Sequence, residues 1–450
     1  MDMRTTIRSL PNELLEIIFE HGSSSSLPMA EQYPLLPLFS KFPLSPLFPT
    51  ALSQVCHRWR CLALNMPSLW RYIHVTRSAE SHRRLKSDLR RSLEWVSIYL
   101  HRSEGLPLRI VLDCTHLPIA SAMSLIIVAS RRWHSLTILV SHVGTLSPVL
   151  SSFRSTPVPQ LEYLTVAADI YREGIISTQP LPAFFTAGTP QLVSLRLKGV
   201  YLAWNGPPLT GLVTLELRFT TRWPSFNELR DMFAASPLLR RLVIQDDIGS
   251  IVRNVAQPDS KSIIDLPHLQ SLSIQIYRVR QGDADVTPLL KLFSMPMLET
   301  LSLQGLRALE WVRVTHHFKM LKDTVNFPSI KTLHLLDVQG QIQTNVAMCE
   351  AFPRLSTLKL TQASSKAFLE LMLEDAEHMN HWKLPIWPNL TRMIIHGDEN
   401  FSLPLLQSVV NFRQALHRPS LTLALDEAYL QDQKRMDWLK RFSTLSLAED

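Results

Sequence analysis

Few groups of residues in this sequence have the types and spacing that chemistry requires. The segment Glu374-Asp-Ala-Glu-His-Met-Asn-His381 gathers carboxylates and two histidines, and His378 and His381 at i and i+3 on one helix are able to ligate a metal ion. His316 and His317 form a weaker pair. Because helical surfaces gather such residues freely and the sequence fixes no third ligand, we expect neither a metal nor any other cofactor.

The sequence also lacks the motifs of the common enzyme classes. It contains no P-loop, GxSxG, HExxH or GxGxxG pattern. Its four cysteines, Cys56, Cys61, Cys114 and Cys349, include no CxxC pair that would indicate zinc or redox chemistry. Cys56 is a conceivable nucleophile, but it lies on the apolar stripe of a predicted helix, where cysteine acts as a small hydrophobic residue. We therefore expect that the protein is not an enzyme.

Composition places the chain among folded proteins. Of its 450 residues 46% are hydrophobic and 19% are charged, which is ordinary for a chain that buries a core. The net charge of 46 − 39 = +7 is mildly basic for this length. No apolar run is long enough for a signal peptide or a membrane span, so we expect a cytoplasmic or nuclear protein that does not bind membranes.

The first ordered segment predicted by the sequence is a helix that starts near Leu10. Pro11 suits the first turn of a helix, and Leu14, Leu15, Ile18 and Phe19 make one apolar stripe that should end near Gly22. Residues 22–50 hold four consecutive serines followed by six prolines, a density that predicts a loop.

Two further helical segments follow this loop. Leu52, Val55, Cys56 and Trp59 stand at i, i+3, i+4 and i+7, which predicts one continuous amphipathic helix. Pro67 should stop the third helix, and a short capping segment should follow it with apolar side chains at Leu69, Trp70 and Ile73.

Residues 9–75 resemble an F-box. The resemblance is carried by LPNELLEIIFE, LSQVCHRWRCLA and MPSLWRYIHV in that order, and the insertion at 22–50 is longer than in the shortest members of the family. It implies a three-helix module over residues 1–75 that binds a Skp-type adaptor and, through it, the cullin scaffold of a ubiquitin ligase. A small three-helix unit should leave an apolar face for a partner, and the candidates for its core and adaptor-binding set are Leu10, Pro11, Leu14, Ile17, Leu52, Val55, Cys56 and Trp59. A role in the module's own core alone fits Leu14, Val55 and Trp59 equally well.

A basic amphipathic segment follows at 77–104. Its basic face is compatible with a nucleic acid or a membrane surface, or with a solvated face above a core. The stretch 106–112 alternates like a strand, with Leu108, Ile110 and Leu112 on one side. We interpret residues 76–130 as a helical linker and a first strand.

A Leu-x-x-Leu-x-Leu pattern recurs over residues 131–425. Successive copies from Trp133 onwards lie 20 to 35 residues apart, near the period of leucine-rich repeats. A proline precedes eight of the nine first positions by two residues, the exception being Leu212 after Gly211. This pattern predicts an irregular leucine-rich-repeat solenoid with a parallel β-sheet, an α/β fold, closed by a capping helix at 426–450. The nine anchors are Leu161, Leu192, Leu212, Leu239, Leu269, Leu298, Ile330, Leu355 and Leu390.

Strand residues that alternate with the leucines should point to solvent and bind a protein target. The candidates are Arg196, Lys198, Glu216, Arg218, Arg241, Gln275, Gln304, His334, Lys359 and Arg392. The cluster of four arginine and lysine residues between 196 and 241 favours an acidic target, although a +7 chain would place such residues there by chance almost as well.

The first functional hypothesis is a substrate receptor of a cullin–RING ubiquitin ligase. The second is an interaction scaffold with no ligase role. The third is a nucleic-acid or membrane binder that uses the 77–104 face; we do not expect it, and a strong salt dependence of binding would indicate it.

Overall fold

The computed structural model describes most of the chain as two compact units, residues 1–210 and 211–450. The boundary between them falls inside the segment of recurring leucines. The structure describes residues 7, 10–25, 48–75, 85–114, 120–140, 143–168, 181, 184–202, 210–220, 222–246, 251, 263–276, 285–321, 329–338, 348–349, 351–362, 365–377, 387–398, 401–426, 429, 437–438 and 444–447.

Within these residues the fold is mixed α/β, with eleven α-helices and sixteen strands. The helices are α1 (Asn12–Ser25), α2 (Phe48–Val55), α3 (His57–Leu64), α4 (Leu85–Arg102), α5 (Ala120–Val128), α6 (Val143–Ser152), α7 (Phe226–Ala234), α8 (Thr287–Lys291), α9 (Ala308–Leu321), α10 (Ser365–Glu377) and α11 (Leu403–Ala415). The strands of the first unit are β1 (Tyr72–Val75), β2 (Leu108–Asp113), β3 (Trp133–Val140), β4 (Tyr163–Ala168) and β5 (Ser194–Lys198). Those of the second are β6 (Thr214–Arg218), β7 (Arg241–Asp246), β8 (Ile264–Asp265), β9 (Ser271–Ile276), β10 (Phe293–Ser294), β11 (Thr300–Gln304), β12 (Thr332–Leu336), β13 (Thr357–Thr361), β14 (Arg392–His396), β15 (Thr422–Leu425) and β16 (Thr444–Leu447).

In each unit the strands pair in parallel, and each strand lies beside the next one in sequence. The first unit runs β1 to β5 in order. The second runs β6, β7, β9 and then β11 to β16, while β8 and β10 form a small pair of their own. Parallel neighbours need a crossover connection, and the helices supply several of these connections.

The anchor leucines of the sequence pattern form the core, as predicted. All nine are buried, and each stands two residues before the first residue of its strand. In the short strands, inward and outward residues then alternate, as in Leu301 and Leu303 of β11, which are buried on either side of half-exposed Ser302. The sequence period therefore gave the correct register for every one of these strands.

Seven of the prolines before the anchors occupy the second position of tight turns. The anchor N–H donates to the carbonyl oxygen three residues earlier, as from Leu239 to Ser236 at 3.1 Å and from Leu390 to Trp387 at 3.1 Å. Proline suits that position because its ring fixes φ near the value that the turn requires. The same bond closes turns at seven anchors, namely Leu161, Leu192, Leu239, Leu269, Leu298, Leu355 and Leu390.

A second recurring feature is a left-handed residue directly after a strand. Gly305, with φ of +74°, donates its N–H to Leu336 O at 2.9 Å, and Asp337, with φ of +49°, does the same to Thr361 O at 2.9 Å. Each such residue thus bonds to the last residue of the next strand. The same conformation recurs at Gly199, Phe219, Gln362 and Gly397.

Three predictions about the N-terminal segment need correction. The first helix extends past Gly22 to Ser25, so the predicted loop at 22–50 is helical at both ends, and residues 26–47 lie outside the described part. The predicted second helix is broken at Cys56, whose φ of −159° and ψ of 170° are extended. Arg60 Nε donates to Ser53 O at 2.8 Å, which satisfies a carbonyl near the end of α2. Residues 72–75, expected as part of a cap, form the first parallel strand.

At the other end of the chain, the predicted capping helix at 426–450 is wrong for residues 444–447. These residues form β16, which pairs in parallel with β15. The sequence pattern predicts Tyr429, Met436, Leu439 and Phe442 as the apolar face of that helix; Tyr429 is described, whereas the other three lie outside the described residues. In the predicted linker, the helix is confirmed as α4 and the strand as β2, in which Leu108, Ile110 and Leu112 are buried on one side.

Candidate interaction surfaces

The N-terminal helices pack around two aromatic side chains. Leu15 and Phe19 of α1 are buried, and the ring of Phe19 meets the edge of Trp59 in α3 at a centroid distance of 4.9 Å. Trp59 is half-buried, so it belongs mainly to the core of the module. These contacts fix which face of α1 points inward.

Gly22 allows α2 to approach α1 closely. A Cβ atom at Gly22 would lie 2.6 Å from Cζ of Phe48, nearer than atoms can approach. Phe48 is the first residue of α2, and Leu52 one turn later is buried. Leu52, a predicted adaptor contact, therefore lies in the core and not among the exposed residues of these helices.

The outer face of these helices exposes apolar residues. Leu14 is 46% exposed, Ile17 57% and Val55 60%, and Pro11 and Cys56 are exposed beside them in sequence. We call these five residues the apolar surface. All five were predicted adaptor contacts, whereas Leu10 is half-buried. The expectation that Cys56 lies on an apolar stripe is wrong, because the helix break turns it to solvent.

Sequence reasoning missed Ile18 and Leu64 as exposed apolar residues. Ile18 is 48% and Leu64 39% exposed. Ile18 follows Leu14 by four residues, so a finer division of the α1 stripe into a Leu14–Ile18 edge and a Leu15–Phe19 edge would have found it. No comparable signal marks Leu64.

One arginine joins the two parts of the apolar surface. The Arg58 guanidinium donates from Nη2 to Leu10 O at 2.5 Å and from Nε to Asn12 Oδ1 at 2.8 Å. Arg58 lies three residues after Val55, and Leu10 and Asn12 flank Pro11. The start of α1 is thereby held against the start of α3.

A tryptophan just after α3 links that helix to α4. Trp70 is fully buried, and its Nε1 donates to Ala63 O in α3 at 2.8 Å. Its ring meets the edge of Tyr99 in α4 at 5.0 Å, and the Arg102 guanidinium lies 4.4 Å from the ring centroid. Burial raises the pKa of Tyr99 to about 12, so this phenol stays neutral.

The second candidate surface is the face of the parallel strands opposite the anchor leucines, which we call the open face. Arg196 and Lys198 lie on it in the first unit, and both are half-exposed. The second unit holds the other eight predicted target contacts. The prediction of solvent exposure is wrong for Glu216 and Gln275, which are 3% and 4% exposed. Adjacent strands lie about 4.8 Å apart, so long side chains on neighbouring strands cover them.

Glu216 is the centre of a charged cluster on the open face. Its Oε2 lies 3.3 Å from Nη2 of Arg218, and its Oε1 lies 3.8 Å from Nε of Arg241. Arg218 also donates from Nη1 to Oε1 of Gln245 at 3.1 Å. One carboxylate thus faces two guanidinium groups.

His334 lies further along the same face between two hydroxyl groups. Its Nδ1 is 3.4 Å from Ser302 Oγ, and its Nε2 is 3.2 Å from Thr361 Oγ1. Burial, with a smaller contribution from Lys359, lowers its pKa to about 4. The imidazole is therefore neutral at physiological pH and bridges three neighbouring strands.

The open face of the described strands in the second unit is mainly cationic. Arg218, Arg241, Lys359 and Arg392 lie on strands β6, β7, β13 and β14, against the single carboxylate of Glu216. The carboxylate of Asp426, just after β15, is hydrogen-bonded to Nδ1 of His396 and accepts from the N–H of Gly397. This arrangement favours an acidic ligand.

The weaker sequence signals gain no support. Among the residues that the structure describes, no three His, Cys, Asp or Glu side chains are grouped as metal ligands. His378 and His381 lie outside them, and so does much of the basic face at 77–104, since the side chains of residues 76–92 are not described. Burial and then Lys291 lower the pKa of His317. None of the described helices is both long and apolar enough to cross a membrane.

Neither a scan against models of protein families nor a search of curated proteins gave a match.

Proposed function

We propose that this chain is the substrate-recognition subunit of a cullin–RING ubiquitin ligase. In this proposal residues 1–75 form an F-box that binds a Skp-type adaptor, and the strands that follow form a leucine-rich-repeat solenoid that holds a protein target. The ligase complex performs the chemistry, and this chain positions the target.

The observation that carries the proposal is the apolar surface. Leu14, Ile17 and Val55 are among the predicted adaptor contacts, and they are about half exposed. Exposed apolar side chains on neighbouring helices favour a partner that covers them. The inward residues Leu15 and Phe19 form the core without them.

The strand architecture supports the second half of the proposal. Nine strands begin two residues after a buried anchor, and turns and left-handed residues recur with them. A unit of one strand and one crossover cannot bury its own apolar edge, whereas stacked units can. The polar open face then offers side chains to a target.

Co-purification of the full chain with a Skp-type adaptor tests the proposal. We expect the wild-type chain to retain the adaptor and a Leu10→Ala/Pro11→Ala variant to retain much less. Leu309→Ala, which alters an exposed apolar residue on α9 in the second unit, is the matched control. A wild-type chain that fails to retain the adaptor would favour an interaction scaffold without a ligase role.

A further inference from the structure

Three glutamines stand side by side on the open face of the second unit. Gln245 of β7 is the register partner of Gln275 in β9, and Gln275 is the register partner of Gln304 in β11. Their side chains leave three adjacent parallel strands at the same level. The row begins beside Arg218, which donates to Oε1 of Gln245.

Two amide oxygens of this row have no hydrogen-bond donor within the described structure. Oε1 of Gln275 and Oε1 of Gln304 are both buried atoms without a partner. Buried polar atoms in folded proteins are almost always bonded, because desolvation without a bond costs free energy. Two such atoms on neighbouring strands indicate that a donor from outside the chain completes them.

Access to the row is through its ends. Gln275 is 4% exposed, whereas Gln245 and Gln304 on either side are half-buried. A ligand therefore approaches the row at these outer amides, and the side chains of Gln275 and Gln304 must turn outward for their buried Oε1 atoms to meet it. Each amide also carries an NH2 group, so the row is able to pair with both donors and acceptors.

The charges around the row restrict the ligand. A lysine or arginine side chain would supply N–H donors, but the described open face of the second unit carries four cationic side chains against Glu216 alone. Main-chain N–H groups supply donors without charge. Acidic side chains beside them would pair with Arg218 and Arg241, whose guanidinium groups share that one carboxylate.

We propose that the row Gln245–Gln275–Gln304 binds an extended, acidic segment of the target protein. Main-chain N–H groups of the segment donate to Oε1 of Gln275 and Gln304, and an aspartate or glutamate of the segment lies against Arg218 and Arg241. The inference rests on the proposed role of the open face in target recognition, and it names the chemistry of the target.

The test uses the immobilised full chain and a phage-displayed library of random dodecapeptides. We expect enrichment of peptides rich in aspartate and glutamate, and binding of a synthetic copy of an enriched peptide that weakens by at least about tenfold in Gln275→Leu and in Gln304→Leu. Gln270→Leu, which alters an exposed amide just before β9, should bind like the wild type. Enrichment of basic peptides, no enrichment, or unchanged binding by both row variants would overturn the inference.

Thermal unfolding of the same variants adds an independent result. Since leucine removes a buried unpaired acceptor, Gln275→Leu and Gln304→Leu should unfold at the same temperature as the wild type or above it. A lower midpoint in both variants would show that the amides stabilise the free chain, and it would overturn the inference. Adaptor co-purification separates the two proposals, because a chain that binds acidic peptides but no adaptor contradicts only the ligase role.

Discussion

The guanidinium Nε of Arg58 in α3 donates a hydrogen bond of 2.8 Å to Oδ1 of Asn12, the first residue of α1. Together with the bond from Nη2 to Leu10 O, it holds the two stretches of chain that carry the apolar surface in one arrangement. The surface therefore depends on a polar contact that is not itself part of it.

The variant Arg58→Ala should weaken the module and its docking together. Loss of two bonds from a charged donor should lower the free energy of unfolding by about 1–2 kcal/mol, and residues 10–12 should no longer be held beside α3. Urea unfolding and adaptor titration measure the two effects. Arg230→Ala, which removes an exposed ion pair with Asp231, should change neither. Full adaptor affinity in Arg58→Ala would show that the contact does not position the surface.

Two substitutions at left-handed residues after the strands should have different effects on stability. Gly305→Ala should destabilise the second unit by roughly 1–3 kcal/mol, because φ is +74° and the new Cβ would lie 2.9 Å from Ile276 O. Asp337→Gly replaces a residue with φ of +49° by one that tolerates it, so its effect should stay within about 0.5 kcal/mol. Thermal unfolding checks both variants, and equal effects would contradict this account of the turns.

The lowered pKa of His334 should make the stability of the protein depend on pH. Burial lowers its pKa to about 4, below the value of about 6.5 in an unfolded chain. The part of the folding stability that depends on a neutral His334 is therefore fully present above pH 6.5. It is lost as the pH falls from there towards 4. Between pH 7.5 and 4 the wild type should lose roughly 1–3 kcal/mol more than His334→Gln, by urea unfolding.

The exposed His268 provides the control for this pH experiment. His268→Gln leaves Ser302, His334 and Thr361 in place, so the loss of stability at low pH that belongs to His334 should persist in this variant. An identical pH dependence in wild type and His334→Gln would show that the imidazole is not held neutral between Ser302 and Thr361.

The strands could be predicted from the sequence because their signal is local and repeated. Each anchor such as Leu239 carries its own proline two residues earlier, and burial of one face fixes the register. The break at Cys56 could not be predicted in this way. The spacing of Leu52, Val55 and Trp59 fits one helix, and no residue type near Cys56 signals the break.

The candidate sites were predicted unevenly for the same reason. Exposure of Ile17 follows from its place outside the α1 stripe, but the sequence pattern placed Leu14 in one stripe with Leu15 and Phe19, and Val55 in one stripe with Leu52. Burial of Gln275 does not follow from the sequence either, since it depends on which long side chains the neighbouring strands present at the same level. Period-two alternation predicts the face of a strand residue but not how far its neighbours cover it.

The most direct measurement is the dissociation constant between the full chain and a Skp-type adaptor for single aspartate variants of the apolar surface. Because an aspartate buried without a partner costs several kcal/mol, Leu14→Asp, Ile17→Asp and Val55→Asp should each weaken binding by about a hundredfold or more. Val128→Asp, at an 87% exposed apolar residue of the same unit, should leave the constant unchanged. Equal binding by all four variants, or no binding by the wild type, would contradict the account.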